Sequence, residues 1–519
     1  MIIFNENRSF DHYFATYPNA ANPPGEIPFR ADRETPPVNN LANANLLTNN
    51  PNLNPANGAG ATNPFRLDRT QANTADQNHA YTPEQEAYDN GKADLFPKFT
   101  GNGTPGGAGA FGTTGQVMGY FDGNTVTAIW NYAQYFAMND NAYTDTYGPS
   151  TPGALEVISG QTNGAVNILG SPSDIPDGQG GLTLNGDTDP ANEACSSKTK
   201  TVQMTSKNIG DLLNAAHISW GGFMGGFNLQ LTNANGTTGC LRSTFSSVTG
   251  GTTADYIPHH MWFQYFASTA NPTHARPSSV WAIGYSMALG GAGPDPANHQ
   301  YDIQDFLAAV QAGNFPAVSY IKMPAYQDAH PGYSDPLDEQ QAVVSLINFL
   351  EQQPAWGETA VILTYDDSDG WYDHAYAVPT SASYNATADQ VNGPGQCGAG
   401  VAVQPQPDGL AGKPVNGRCG PGTRIPFVVI SPFAKRNFVS HERISQASVV
   451  RFIEDNWLQG ERLGGGSFDA TAGSIMDLFD FDQFGNQPPS FVNQFGNTYA
   501  LFLDPTAGTV VAPVPPNFH

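Results

Sequence analysis

Ala360-Val361-Ile362-Leu363-Thr364-Tyr365-Asp366-Asp367 is an apolar run that stops on two acids. Its β-branched and aromatic side chains, without polar alternation, read as a strand buried on both faces. The chain opens in the same way, with Met1-Ile2-Ile3-Phe4 running straight into Asn5-Glu6-Asn7-Arg8. That opening reads as the end of a buried strand. Its upstream part, together with an export signal, is expected to lie outside this sequence. Residues 316–322 and 426–431 are further buried strands, and residues 218–223 resemble a strand running into a turn. Helical spacing of apolar residues appears at 126–138, 154–159, 207–216, 340–353 and 447–457. Strands alternating with helices predict an α/β fold with a mainly parallel central sheet covered on both faces.

Length and composition bound the rest. The 519 residues include 56 Gly and 41 Pro, yet 30 Phe, 21 Tyr and 7 Trp are spread along the chain. This combination predicts long ordered loops around a conventional core. The loop-rich insertions fall around 20–115 and 380–425. A catalytic domain is expected over 1–485, followed by a Pro/Asn-rich C-terminal strap over 486–519. Lys and Arg total 21 against 46 Asp and Glu, a formal charge of −25. A nucleic-acid partner would need a basic footprint that is missing here. An anionic membrane surface would repel such a chain. No apolar stretch is long enough for a transmembrane helix. The four cysteines, Cys195, Cys240, Cys397 and Cys419, form no CxxC pair. The sequence-local pairing, Cys195–Cys240 and Cys397–Cys419, is expected, with secretion or a periplasmic location as the oxidising setting.

In open α/β sheets, ligands bind beyond the carboxyl ends of the strands. Two such ends carry adjacent oxygen ligands here, Glu6-Asn7 and Asp366-Asp367. Either each acid caps a following turn, or a cation lies between them to offset the crowded charge. Ser150, in Gly148-Pro-Ser-Thr-Pro152, precedes an apolar helical run. It reads either as an N-cap or as a nucleophile set at an anion-binding helix end. His79, His259, His260, His330 and His374 sit in polar, turn-rich contexts that suit phosphate donors or a general acid. Spacing does not choose among them. The formal GxGxxG at Gly101, Gly103 and Gly106 lacks a leading strand and carries Pro105, so it is not a nucleotide fingerprint.

Five segments taken in order resemble the bacterial phosphoesterase family of phospholipases C and acid phosphatases. They are Glu6-Asn-Arg-Ser-Phe-Asp-His-Tyr-Phe14, Tyr147-Gly-Pro-Ser-Thr-Pro152, Pro258-His-His-Met-Trp-Phe263, Ala329-His-Pro-Gly-Tyr-Ser334 and Thr364-Tyr-Asp-Asp-Ser-Asp-Gly-Trp-Tyr-Asp-His374. The resemblance spans roughly residues 1–485 and implies an alkaline-phosphatase-like α/β/α sandwich holding one divalent metal ion. By matched position, Glu6, Asn7, Asp366 and Asp367 would be metal ligands, and Ser150 both ligand and nucleophile. His79, His260 and His330 would line the phosphate pocket, with His259, His374 and Arg8 as second-rank candidates. Many phospholipase-type members carry threonine where Ser150 stands. Serine here, in a chain ending without an additional C-terminal domain, resembles the acid phosphatase branch. The expected activity is metal-dependent hydrolysis of small phosphate esters through a phosphoserine. One rival is a phospholipase C acting on phospholipid head groups. The other is a non-catalytic secreted binding protein with a structural metal.

Overall fold

Ile2-Ile3-Phe4-Asn5 lies inside an eight-stranded sheet in the computed structural model, which describes residues 1–171, 174–398, 408–482 and 500–511. In chain order the strands are β1 (Ile2–Asn5), β2 (Ala137–Asn139), β3 (Trp220–Met224), β4 (Gln300–Asp302), β5 (Val318–Lys322), β6 (Val361–Tyr365), β7 (Phe427–Ile430) and β8 (Phe438–Ser440). Across the sheet they run β4-β3-β5-β1-β6-β7-β2-β8. Only β7 opposes both of its neighbours; the other sheet pairings are parallel. Every residue of β1, β5, β6 and β7 is buried, which explains why these strands read as unbroken apolar runs. Each such aliphatic or aromatic side chain contributes about 1.5–3 kcal/mol by leaving water.

Register sets the chemistry. Asn5 pairs with Tyr365, so the next residues, Glu6 and Asp366, leave the sheet side by side. Ile3 pairs with Ile321, which brings Lys322 out beside Phe4. Among the described residues, the α-helices of five or more residues are α1 (Phe10–Phe14), α2 (Tyr81–Tyr88), α3 (Thr127–Tyr135), α4 (Ser150–Ser159), α5 (Ile209–Ala215), α6 (Ile303–Gln311), α7 (Pro336–Glu351) and α8 (Ala447–Trp457). They flank the sheet: α3 packs on β2 and β7, α6 on β3 and β4, and α4 against α8. The fold is therefore α/β with a mainly parallel central sheet, as expected.

One expected helix is too long. Apolar spacing predicts a helix over 126–138, but α3 stops at Tyr135 and Ala137–Asn139 is strand β2. Met138 pairs with Val428 on one side and Val439 on the other. That two-sided pairing overrides a local pattern that serves either structure.

The Asn/Pro-rich stretch is ordered because its asparagines replace secondary-structure partners. Asn40 donates to the carbonyls of Phe14 and Tyr17, and Asn50 caps a short turn and donates to the Tyr372 hydroxyl. In the 380–425 insertion, residues 399–407 lie outside the described residues. So do the expected boundary near 485 and most of the strap. Of the tail, residues 500–511 are described. Leu501 and Leu503 are buried, and Asn348 and Gln340 of α7 donate to the carbonyls of Leu503 and Thr506.

All four cysteines are paired as expected, Cys195 with Cys240 and Cys397 with Cys419. The second bridge spans 22 residues. In the chain-entropy account, a loop of that size is stabilised by about 3 kcal/mol. A Cys397→Ser/Cys419→Ser variant is expected to unfold at lower denaturant, losing up to about 3 kcal/mol of unfolding free energy. Equilibrium urea unfolding measures it, and an unchanged midpoint contradicts the assigned role.

Candidate active site

Ser150 is the first residue of α4, not its cap. Pro149 holds the cap position and makes no side-chain capping bond. The free N–H of Thr151 is met instead by Asp187 Oδ1 at 3.0 Å. The Ser150 hydroxyl is thereby available for other partners. Its Oγ donates to Glu6 Oε2 at 2.8 Å and lies 3.4 Å from Asn7 Oδ1 and 3.3 Å from Asp367 Oδ2. All four residues are buried.

Two close approaches fix this arrangement. Gly148 (φ +125°) turns the chain into α4, and its N–H donates to Glu84 Oε2. A Cβ on Gly153 would lie 2.1 Å from the Asp366 carbonyl oxygen, so only glycine lets α4 press onto the acid segment.

Asp366 and Asp367 each serve the backbone with one oxygen and leave the other for the site. Asp366 Oδ1 accepts the N–H groups of Asn7 and Asp367, while its Oδ2 is buried without a hydrogen-bond partner. Asp367 Oδ1 accepts from Asp369 N, while Oδ2 faces Ser150. The turn-capping reading is thus realised by one oxygen of each aspartate, and the other oxygen is left available to the site. Burial pushes the Asp366 carboxyl up, and burial with the adjacent Asp366 pushes Asp367 well up. The donor set of carboxylates, one amide oxygen and one hydroxyl, with uncompensated charge and an orphaned buried oxygen, fits a hard divalent cation.

The histidines converge on the same place. His79 Nδ1 donates to the Gln77 carbonyl and faces Asp369 Oδ1 at 3.3 Å, while its Nε2 lies 3.4 Å from Asn7 Nδ2. His330 Nδ1 likewise donates to the Pro331 carbonyl, and its ring lies 5.8 Å from that of His79. His260 is fully buried, its Nδ1 3.3 Å from Glu6 Oε1. His259 points to Asp189 at 3.5 Å, with its ring 4.5 Å from His260. Burial disfavours the charged form of all of these rings. For His260 and His330 it prevails, aided by neighbouring histidines, and holds them well below the ordinary value. For His79 the carboxylates of Asp367, Asp369 and Asp76 outweigh it and hold the ring well above that value. An open cavity of about 710 Å³ reaches His79, with Asn78, Asn102, Asn185 and Asp187 also in its wall.

The family model of the phosphoesterase family matches residues 1–458. The chain belongs to the phosphoesterase family. Among curated members, phospholipase C B of Mycobacterium tuberculosis is 24% identical over 93% of this chain and 77% of its own length. The non-hemolytic phospholipase C of Pseudomonas aeruginosa is 29% identical over 34% of this chain and 25% of its own length. The hemolytic phospholipase C of the same organism is 31% identical over 34% of this chain and 22% of its own length. The chain thus spans about a quarter of the two Pseudomonas relatives where it matches them. Among solved structures, a mutant of the alkaline phosphatase PafA superposes with a TM-score of 0.32 at 10% identity, over 67% of this chain and 93% of that one. A likeness that weak says nothing of this phosphoesterase's chemistry.

Two second-rank candidates act at a distance from Ser150. Arg8 donates to the Ala329 carbonyl and lies 3.1 Å from His12 Nε2. It holds the left-handed turn at Ala329 (φ +85°) that presents His330. His374 Nδ1 lies 2.5 Å from Asp11 Oδ2, and Arg424 bridges Asp11 to Asp373. That network ties the segment after Asp367 to α1.

Four contributors escaped the sequence reading. Lys322 ends β5 buried and pairs with Glu6. Asp328, pushed to about 8 by burial, lies 3.7 Å from His260. Glu84, pushed to about 7 by burial, joins Gly148 N to Ser368 Oγ. Asp187 caps α4. Lys322 carried a usable signal, a charge directly after an apolar run, as at Glu6. The other three carried none.

The His374–Asp11 pair makes stability pH-dependent. Burial opposes the imidazolium, but Asp11 outweighs it and holds His374 above 6.5. Its contribution is complete below that value and is lost as pH rises through the raised one. Burial opposes the Asp11 carboxylate too, but His374 and Arg424 hold it below 3.8. Its share is present above 3.8 and lost as pH falls through the lowered value. The stability difference between wild type and His374→Gln should peak near pH 5–6 and shrink by about pH 9. Urea titrations across pH measure it, and a constant difference contradicts the pairing.

Proposed function

We propose that this chain hydrolyses phosphate esters with Ser150 as nucleophile and one divalent cation held by Glu6, Asn7, Ser150, Asp366 and Asp367. The observation that carries the reading is the convergence of Glu6, Asn7 and Asp367 on Ser150 Oγ at 2.8–3.4 Å. A cation bound there would supply the positive charge that lowers the serine pKa and offsets charge on the phosphoryl oxygens. Ser150 Oγ attacks phosphorus in line. Glu6 Oε2, already its hydrogen-bond acceptor, takes up the hydroxyl proton. His260 and His330 orient the phosphoryl oxygens. His79, which lines the open cavity, protonates the leaving alcohol. Water then hydrolyses the phosphoserine.

A small ester of acid phosphatase type is the first reading of substrate. The cavity wall beside His79 is mainly polar, with Asp76, Asn78, Asn102, Asn185 and Asp187, and Ala80, Tyr81, Pro83 and Pro149 are its apolar members. A phospholipid head group is the second reading, favoured by the phospholipase C relatives. Residues 1–485 are read as the catalytic domain. A secreted or periplasmic location is supported by the two disulfides. Among the described residues, no helix is long and apolar enough to cross a membrane.

Ser150→Ala should lower kcat roughly a thousandfold or more, with the circular dichroism spectrum unchanged. Near-normal turnover removes Ser150 from the mechanism. Chelation should abolish activity and a divalent ion should restore it. A purely structural metal predicts loss of stability with no hydrolysis to lose. Comparing p-nitrophenyl phosphate with phosphatidylcholine vesicles separates the two substrate readings.

A further inference from the structure

Glu6 faces two ways. Its Oε2 meets Ser150, while its Oε1 meets the Lys322 ammonium. Around that ammonium stand donors of two kinds: Glu6 and Asp366, shared with the proposed cation site, and His260 and Asp328, which lie outside that ligand set. Glu6, His260 and Asp328 each offer a ligand atom, and these atoms lie within 4.8 Å of one another. Asp366 Oδ2 lies 3.9 Å from Lys322 Nζ. All five residues are at most 1% exposed. Two of the donors are orphaned: Asp366 Oδ2 and His260 Nδ1 are buried without a hydrogen-bond partner.

Two carboxylates, an imidazole and the far oxygen of a third carboxylate are the ligand set of a divalent-ion site. A carboxylate shared between two positions is how paired metal ions are held about 3.5–4 Å apart. We propose that this is a second cation position of the active site, and that the Lys322 ammonium fills it. Lys322 is a positioning residue in this scheme. It supplies one fixed positive charge where a second ion would otherwise bind, steers Glu6 Oε2 toward Ser150, and limits the site to a single metal. The inference rests on the metal-dependent reading above and goes beyond it.

The test uses the full chain loaded with Mn²⁺ and freed of excess by gel filtration. Bound metal is counted by elemental analysis, and ion–ion proximity is read by electron paramagnetic resonance. Wild type should hold one ion per chain with an uncoupled six-line spectrum. Lys322→Ala should hold two, with the exchange coupling of a bridged pair. Lys322→Ala/Asp328→Asn should return to one. Lys322→Ser serves as the second variant should the alanine protein fail to fold, with thermal melting as the folding control. One uncoupled ion in both wild type and the Lys322 variants overturns this inference and leaves the metal-dependent reading standing. No ion in any of these proteins overturns both. Two ions in wild type overturn this inference alone.

Discussion

The carboxylates of Glu6, Asp366, Asp367 and Asp328 are withdrawn from water around one hydroxyl and one ammonium. Left uncompensated, each buried charge costs several kcal/mol, and their mutual repulsion adds to that. A chain that keeps such a cluster must hold it rigidly, because the cluster relaxes by moving apart. The parallel register of β1 and β6 provides the first restraint, delivering Glu6 and Asp366 from adjacent strand ends. The backbone provides the second. One oxygen of Asp366 and one of Asp367 are anchored on N–H groups of the turns that follow, which fixes where the other oxygens point.

A second layer of bonds holds those turns. Glu339 accepts from Asn5 Nδ2 and from the hydroxyls of Tyr13 and Tyr365, so β1, α1 and β6 share one buried carboxylate. Arg424 donates to Asp373, Asp11 and the carbonyls of Asn39 and Asp140, while its own carbonyl accepts from Phe10 N. The start of β7 is thus locked to the segments after β1 and β6. Such pre-organisation places the ordering entropy in folding rather than in each catalytic turnover.

What the sequence discloses follows from this construction. Apolar runs buried on both faces announce β1, β5, β6 and β7, and an acid directly after such a run announces the site. Ser150 is less legible, because serine before a helix has an ordinary structural use. Only the tertiary fold shows Asp187 taking over the capping bond. Ala137–Asn139 misleads because its apolar spacing continues that of α3, and the pairing that makes it a strand comes from β7 and β8, almost 300 residues later. Asp328 and Glu84 lie in no telling pattern. Their importance is created by burial, which the local sequence does not encode.

The overall charge of −25 sharpens what the site must achieve. Several of the basic side chains are already paired with acids, Arg424 with Asp11 and Asp373 and Arg242 with Asp255 and Asp302 inside the fold, and the partly exposed Arg66 with Glu26 and Asp122. Among the described residues, the wall of the open cavity offers Asp76 and Asp187 and no Lys or Arg. An anionic ester therefore gains little from long-range steering. Its attraction must arise within a few ångströms of Ser150, from His79 and from a bound cation in the proposed reaction. The same short range sets a limit on the leaving group. A second anionic group on the ester would face Asp76 and Asp187 beyond the reach of that cation, whereas a neutral or cationic leaving group would not be opposed. In the proposed reaction the phosphoryl group would therefore be recognised beside Ser150, and the acidic wall next to His79 would discriminate among the alcohols attached to it.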